Sequence, residues 1–410
     1  MSLPFSTKSG PSTLRLLVAA SLAFFYIYKV SFVFAPPITT ARVALAVNVI
    51  LLAVGRYKIL VKTPAYLLFL LLPLVVAQYL VVGEPTNLSR FGNLFMLSVM
   101  GSILLAALVR DFDLALRALL YAITAQAIII LAVFPSLTLR LLIQKYVVIS
   151  SAFEFEQLYR GFGLSSVAGA HLSLVQSLGV LSGWFALRRN INKTGQRDGG
   201  GWIICSMVLC ALSSTLAGRT GMLVSVAFFG LAWLDGCFSR RGVGLSLLGL
   251  VGLIVLFDTV LEALMPQGYS VDRMSYRIFS VFLGEDRTIG GLMAMNVPGL
   301  GLETIVGTGL VLAPSGANAA GHDAGVIQSY FSLGLIFTLF FYGLYAYVLT
   351  RMFEFKSVFF CLVLVAAFLV VEFKEPFLFK QSCFFALHFL FMTYQYEIKN
   401  KKLESLVPVI

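Results

Sequence analysis

Apolar runs of about twenty residues recur along almost the whole chain, and no single water-soluble core can bury so many. A membrane-spanning helix needs about 20 mainly apolar residues. Runs of this kind fall near 15–35, 38–54, 65–83, 92–109, 113–134, 164–187, 201–217, 220–235, 243–264, 325–350, 357–372 and 381–397. Apolar residues make up 59% of the 410, and charged residues only 12%, about half the share usual in soluble domains. A soluble core stops growing at about 250–300 residues, so the excess apolar surface requires lipid as its solvent. The sequence therefore predicts an all-α polytopic membrane protein, a single transmembrane domain over residues 1–410 with about 12 transmembrane helices. The first run follows Lys8 and Arg15, is too long for a cleaved leader and reads as the first span. The run at 164–187 carries Ser165, Ser166, His171, Ser173, Gln176 and Ser177 and is predicted to face protein or water rather than lipid.

Charge orients these spans. Counting loops alternately from the N-terminus, one side holds 18 of the 30 basic residues and seven of the 19 acids. That gives a net charge of +11 on that side and −1 on the other, with Lys29 inside the first span. Basic loops collect on the cytoplasmic side of a membrane, so both termini are predicted there. Orientation alone accounts for the overall +11, and no nucleic-acid partner is needed to explain it. Cys205, Cys210, Cys237, Cys361 and Cys383 are scattered through apolar stretches, and with three His the chain offers no metal-ligand pattern and no cofactor motif.

The chemistry concentrates on the outer side. One outer loop, 135–163, contains LRLLIQKYVVI, which reads as an amphipathic segment or as the extension of a neighbouring helix. The larger one, 265–324, opens with Arg273 and Arg277, continues through Arg287 into a glycine-rich stretch and ends in His322-Asp323. Asp323 is also placed to N-cap the following helix. Arg160, Arg219, Lys374 and Glu375 lie at outer span ends, with Arg219 in a hairpin of only a few residues. Arg140 and Arg90 read as anchors whose head groups reach the interface. Arginine presents a planar fork matched to phosphate oxygens, so several outer arginines above apolar spans suit a lipid pyrophosphate. His322 is the natural base for an acceptor hydroxyl, with Asp323, Glu303 and Glu375 as alternatives. His171 and His388 read as packed polar residues within spans.

Four patches carry a resemblance: RGFGLSS (160–166), SSTLAGRTGML (213–223), GLGLE (299–303) and HDAGVIQSYFSLGLI (322–336). Together with the layout of spans and one large late loop, they resemble bacterial O-antigen polymerases of the Wzy type and the related O-antigen ligases. The resemblance implies a GT-C-like glycosyltransferase architecture in the bacterial inner membrane, with 265–324 as the large periplasmic loop. It implies polymerisation of undecaprenyl-pyrophosphate-linked repeat units, donor and acceptor both lipid-linked, with neither metal nor cofactor, inversion at the anomeric carbon and a chain-length regulator as a partner. It gives Arg219, with one or more of Arg273, Arg277 and Arg287, the donor pyrophosphate. Arg160, Lys374 and Glu375 take the second phosphate or the glycan. His322 is the base, although the helix after it lacks the relatives' G-x-x-G, which leaves Asp323 as a contender. A ligase acting on lipid A core and a flippase of the lipid-linked unit are the alternatives. A flippase needs charges along its interior, and by sequence the spans hold little beyond Lys29.

Overall fold

A computed structural model describes residues 13–55, 57, 59–60, 63–149, 161–166, 168–194, 200–237, 294–311, 313, 318–352, 358–374, 376 and 380–406. It is almost wholly helical. Among the described residues three helices are long and apolar enough to cross a membrane: Thr86–Val109, Phe112–Val133 and Gly169–Thr194. Six further apolar helices are shorter: Thr13–Tyr28, Thr40–Gly55, Leu71–Val82, Gly201–Ala217, Thr220–Leu234 and Leu335–Arg351. The run at 243–264 lies outside the described residues. The chain divides into two units, one formed by Met1–Val47 with Phe112–Asp286 and the other by Asn48–Asp111 with Arg287–Ile410.

In the first unit α1 (Thr13–Tyr28) packs on α6 (Phe112–Val133), and α8 (Gly169–Thr194) packs on α6, α9 (Gly201–Ala217) and α10 (Arg219–Leu234). Helix α8 is the centre of this unit, and 94% of its most apolar window is buried. It faces protein, as its polar content requires. Its approach to α9 depends on small residues, since a Cβ on Gly179 would lie 2.6 Å from the Cys210 sulfur and one on Gly183 2.3 Å from Met207. Close backbone approach is what holds helices together where lipid offers no hydrophobic drive. Between these helices Gln176 donates to Tyr28 Oη at 3.0 Å and accepts from Ser213 at 3.0 Å.

The unit has two distinct ends. At one, Asp113 at the start of α6 is clamped by Arg189 and Lys193 from the end of α8. There too Asp235, which caps α10, accepts from Trp184 Nε1 at 3.0 Å and lies 3.5 Å from Arg188. At the opposite end the chain departs from the expected first span. Helix α1 stops at Tyr28, and Lys29 takes a left-handed φ of 46°. A hairpin of β1 (Ser31–Phe32) and β2 (Ala35–Thr39) then leads into α2 (Thr40–Gly55). Lys29 is therefore outside the helix rather than inside a span. Helix α7 (Leu137–Tyr146) ends against the hairpin, with Val148 N donating to Ser31 O at 2.8 Å and Val33 N to Tyr146 O at 2.9 Å. Arg140 on α7 is buried, donates to Phe134 O and lies over the Phe134 and Phe162 rings. It caps the orphan carbonyls of α6, a packed role in place of the interfacial anchor expected of it.

In the second unit α3 (Thr63–Val82) is followed by α4 (Thr86–Asn93), a π-helical stretch (Leu94–Met100) and α5 (Gly101–Val109), the last two lying against α15 (Gln381–Leu406). Ser102 Oγ meets His388 Nδ1 at 2.6 Å there, so His388 is the packed polar residue the sequence implied. The segment expected as one helix over 325–350 is broken. Helix α12 (Gly325–Leu333) ends at Gly334, at φ 92°, and α13 (Leu335–Met352) begins anew. A short helix α11 (Leu302–Val306) ends at Gly307, φ 95°, against the same break. A Cβ on Gly334 would sit 2.5 Å from Val306 backbone, and one on Gly307 2.4 Å from Leu333 backbone. The carbonyls freed by the break are all accounted for, as apolar surroundings demand. Thr308 N reaches Phe331 O at 2.9 Å, Gly309 N and Asn87 Nδ2 reach Ser332 O at 3.0 and 2.9 Å, and buried Gln78 donates to Leu333 O at 2.9 Å and to Val306 O. Helix α14 (Val358–Lys374) completes the unit against α12 and α13.

Candidate functional site

Each unit draws two of the four sequence patches together. In the first, Gly161 N donates to Leu216 O at 2.9 Å, and Gly161 packs on Leu216 and Ile130. This bond ties the residue after Arg160 to a point three residues before Arg219. The same segment runs on to Ser165 and Ser166, whose hydroxyls donate to Tyr28 O at 3.4 Å and Lys29 O at 2.7 Å. Helices α9 and α10 meet at Gly218 alone, so Arg219 opens α10. The turn is possible because Gly221 lets the backbone of α8 come close: its N–H donates to Ser173 Oγ at 3.1 Å, and a Cβ would lie 2.2 Å from Ser173 O. His171 stands in the first turn of α8 at this same end, 8% exposed. It is the packed polar residue the sequence implied.

In the second unit Tyr330 joins GLGLE to HDAG. Its hydroxyl contacts Thr304 Oγ1 at 2.9 Å and donates to Gly299 O at 3.2 Å. Thr304 accepts from Gly301 N at 2.9 Å, closing the start of α11. His322 is 6% exposed and held firmly: Nδ1 accepts from Ala324 N at 3.0 Å, and its carbonyl accepts from Asn318. A nitrogen that accepts carries no proton, so the neutral ring bears its proton on Nε2 and offers a donor there. Asp323 is exposed and does not cap the helix; Ala324 is the N-cap, and Gln328 Nε2 donates to the Asp323 carbonyl at 3.0 Å. Its carboxylate is thus left to the solvent side.

No family model, curated protein or solved structure matches this chain. Its site must be argued from its own geometry.

Of the remaining sequence candidates, Lys374 is half-buried in the last turn of α14. Arg160, Arg273, Arg277, Arg287 and Glu375 lie outside the described residues, as does the side chain of Arg219. Glu303 is in the first turn of α11. Among the described residues no three of His, Cys, Asp and Glu converge as a metal requires. The sequence reading missed Glu372. It is fully buried on α14, accepts from Tyr342 Oη at 2.9 Å and interacts with the charge of Arg90 on α4. Tyr342 also bonds Ser329 on α12, the helix that follows His322-Asp323. The interior therefore holds the charge of Glu372, while Lys29, the charge expected within a span, lies beyond the end of α1. Glu372 ends an apolar run, so hydropathy marks only the boundary of that run there.

Proposed function

We propose that the chain is a bacterial inner-membrane glycosyltransferase that polymerises undecaprenyl-pyrophosphate-linked oligosaccharide units on the periplasmic face, built on about twelve spans with both termini in the cytoplasm. The observation that carries this reading is the pairing of motifs. RGFGLSS is bonded to the end of helix α9, which leads into AGRTG, and GLGLE to the helix of HDAG, each through specific hydrogen bonds. These are the patches that a pyrophosphate donor and a hydroxyl acceptor would use.

In this mechanism the acceptor hydroxyl oxygen attacks the anomeric carbon of the donor glycan. The bond from that carbon to the lipid pyrophosphate breaks, and the pyrophosphate leaves with the electron pair. Arg219, with Arg160 and the 273, 277 and 287 arginines, stabilises the charge that develops on it. The hydroxyl proton passes to exposed Asp323. His322, fixed with its proton on Nε2, donates to the substrate oxygen beside it. Lys374 and Glu375 bind glycan. Attack opposite the leaving group inverts the anomeric carbon.

Proteoliposomes supplied with a lipid-linked repeat unit should give a ladder of lengthened glycans. An Arg219→Ala protein at normal membrane level should lose the ladder by about 10²-fold or more. Full activity in that variant would remove Arg219 from the mechanism. Transfer only after lipid A core is added would make the protein a ligase. The buried Glu372 favours a second reading, a flippase, because charge inside spans marks transport paths. Movement of the lipid-linked unit across the bilayer without bond formation would establish that reading instead.

A further inference from the structure

Lys29 stands where a helix normally ends in glycine. Its φ of 46° is in the left-handed region, which residues bearing a side chain rarely adopt. The strain is enforced, because Ser166 Oγ binds Lys29 O at 2.7 Å and accepts from Ser31 N at 2.9 Å. The hairpin then returns the chain, with Thr40 N on Val30 O at 2.9 Å and Thr40 Oγ1 on Phe25 O at 3.3 Å, so Arg42 stands beside Lys29. The two like charges interact directly. Lys145 adds a third cation one residue before the Tyr146–Val148 stretch bonded to β1.

Among the described residues no carboxylate offsets them. Residues 1–83 contain neither Asp nor Glu. Of the described elements packed here, α7 and 161–166 carry none, and α6 carries only Asp113, engaged at its other end by Arg189 and Lys193. Around the cations the surface is apolar and open. Phe34 is 77% exposed, and Val33, Ile38, Leu141, Leu142 and Tyr146 are exposed too. Hydrophobic residues flanking a cluster of cations at a helix end match the boundary between acyl chains and head groups, where anionic lipid attracts basic side chains.

The geometry points to a lipid-phosphate seat at this end of the first unit: Lys29 and Arg42 hold the phosphate of an anionic phospholipid while the hairpin tip and the open face of α7 sit among its acyl chains. This is independent of the glycosyl-transfer reading, since it needs no reaction.

The test is native mass spectrometry of the purified protein from micelles containing equal phosphatidylglycerol and phosphatidylcholine. The wild type should retain phosphatidylglycerol at least about fivefold over phosphatidylcholine, the fold-change that corresponds to about 1 kcal/mol. Lys29→Gly relieves the left-handed strain, so its thermal midpoint in lipid-free detergent should hold or rise while the preference for phosphatidylglycerol falls toward one. Lys29→Arg should keep the preference. Equal retention of phosphatidylglycerol by wild type and Lys29→Gly would overturn the proposal. So would loss of the preference on adding millimolar inorganic phosphate, which would make the seat a site for the free ion.

Discussion

Single residues set the character of both ends of the account. Burial and the neighbouring Arg42 charge push the Lys29 ammonium down to about 8 from its ordinary 10.5. Between those values the unfolded chain holds one more proton than the folded one, so stability rises with pH across that window. Below about pH 8 both states are protonated and the cost of the buried charge is fully present. In neutral detergent, Lys29→Gln should therefore exceed the wild type in thermal midpoint most at pH 7, and the gap should narrow by pH 9.5. A constant gap would show that the amine is freely solvated. In the second unit, Asp323→Asn should lower turnover by about 10²–10⁴-fold with little effect on expression, because the carboxylate is exposed and caps nothing. The sequence made His322 and Asp323 legible as a pair. It could not divide their roles, since that depends on which ring nitrogen meets Ala324 N. Glu372 was illegible for another reason: hydropathy marks where a run ends, and only packing shows that its last carboxylate faces Tyr342 and Arg90.

At the scale of elements, hydropathy located the apolar helices well and their interruptions poorly. Gly218 was visible as a break between α9 and α10 because Arg219 and Thr220 flank it. The break at Gly334 was not, because apolar residues continue on both sides and the cause lies elsewhere in sequence, in Gly307 and the Gln78 side chain. The same holds for the π-helical stretch at Leu94–Met100, where Ser98 Oγ bonds Gln381 O at 2.8 Å. Gln78→Leu should strip the amide donor from Leu333 O and Val306 O and cost about 1–2 kcal/mol, read as a lowered unfolding midpoint in detergent. Gly334→Ala should cost about 2 kcal/mol or more, since a Cβ there is both strained and in contact with Val306 backbone. If either variant matched the wild type, the junction of α11, α12 and α13 would not be the rigid element described.

For the molecule as a whole, the alternation of basic loops is the part of the sequence with the widest reach. Within the first unit Arg188, Arg189 and Lys193 gather at one end with Asp113 and Asp235, and Lys29, Arg42 and Lys145 lie at the other. In a background without native cysteines, Glu84→Cys and Ser136→Cys should react with an impermeant maleimide from the periplasmic side. Asn192→Cys and Ser405→Cys should react only after permeabilisation. The opposite pattern would invert the topology and move every proposed site residue to the cytoplasm. The central claim is that a glycosyl group leaves a lipid pyrophosphate on this chain. It is tested most directly by counting free undecaprenyl pyrophosphate released by purified protein given its lipid-linked repeat unit and no nucleotide sugar. The account predicts one released for each glycosidic bond formed, in wild type and not in Asp323→Asn. Elongation without that release, or no release at all, would contradict it.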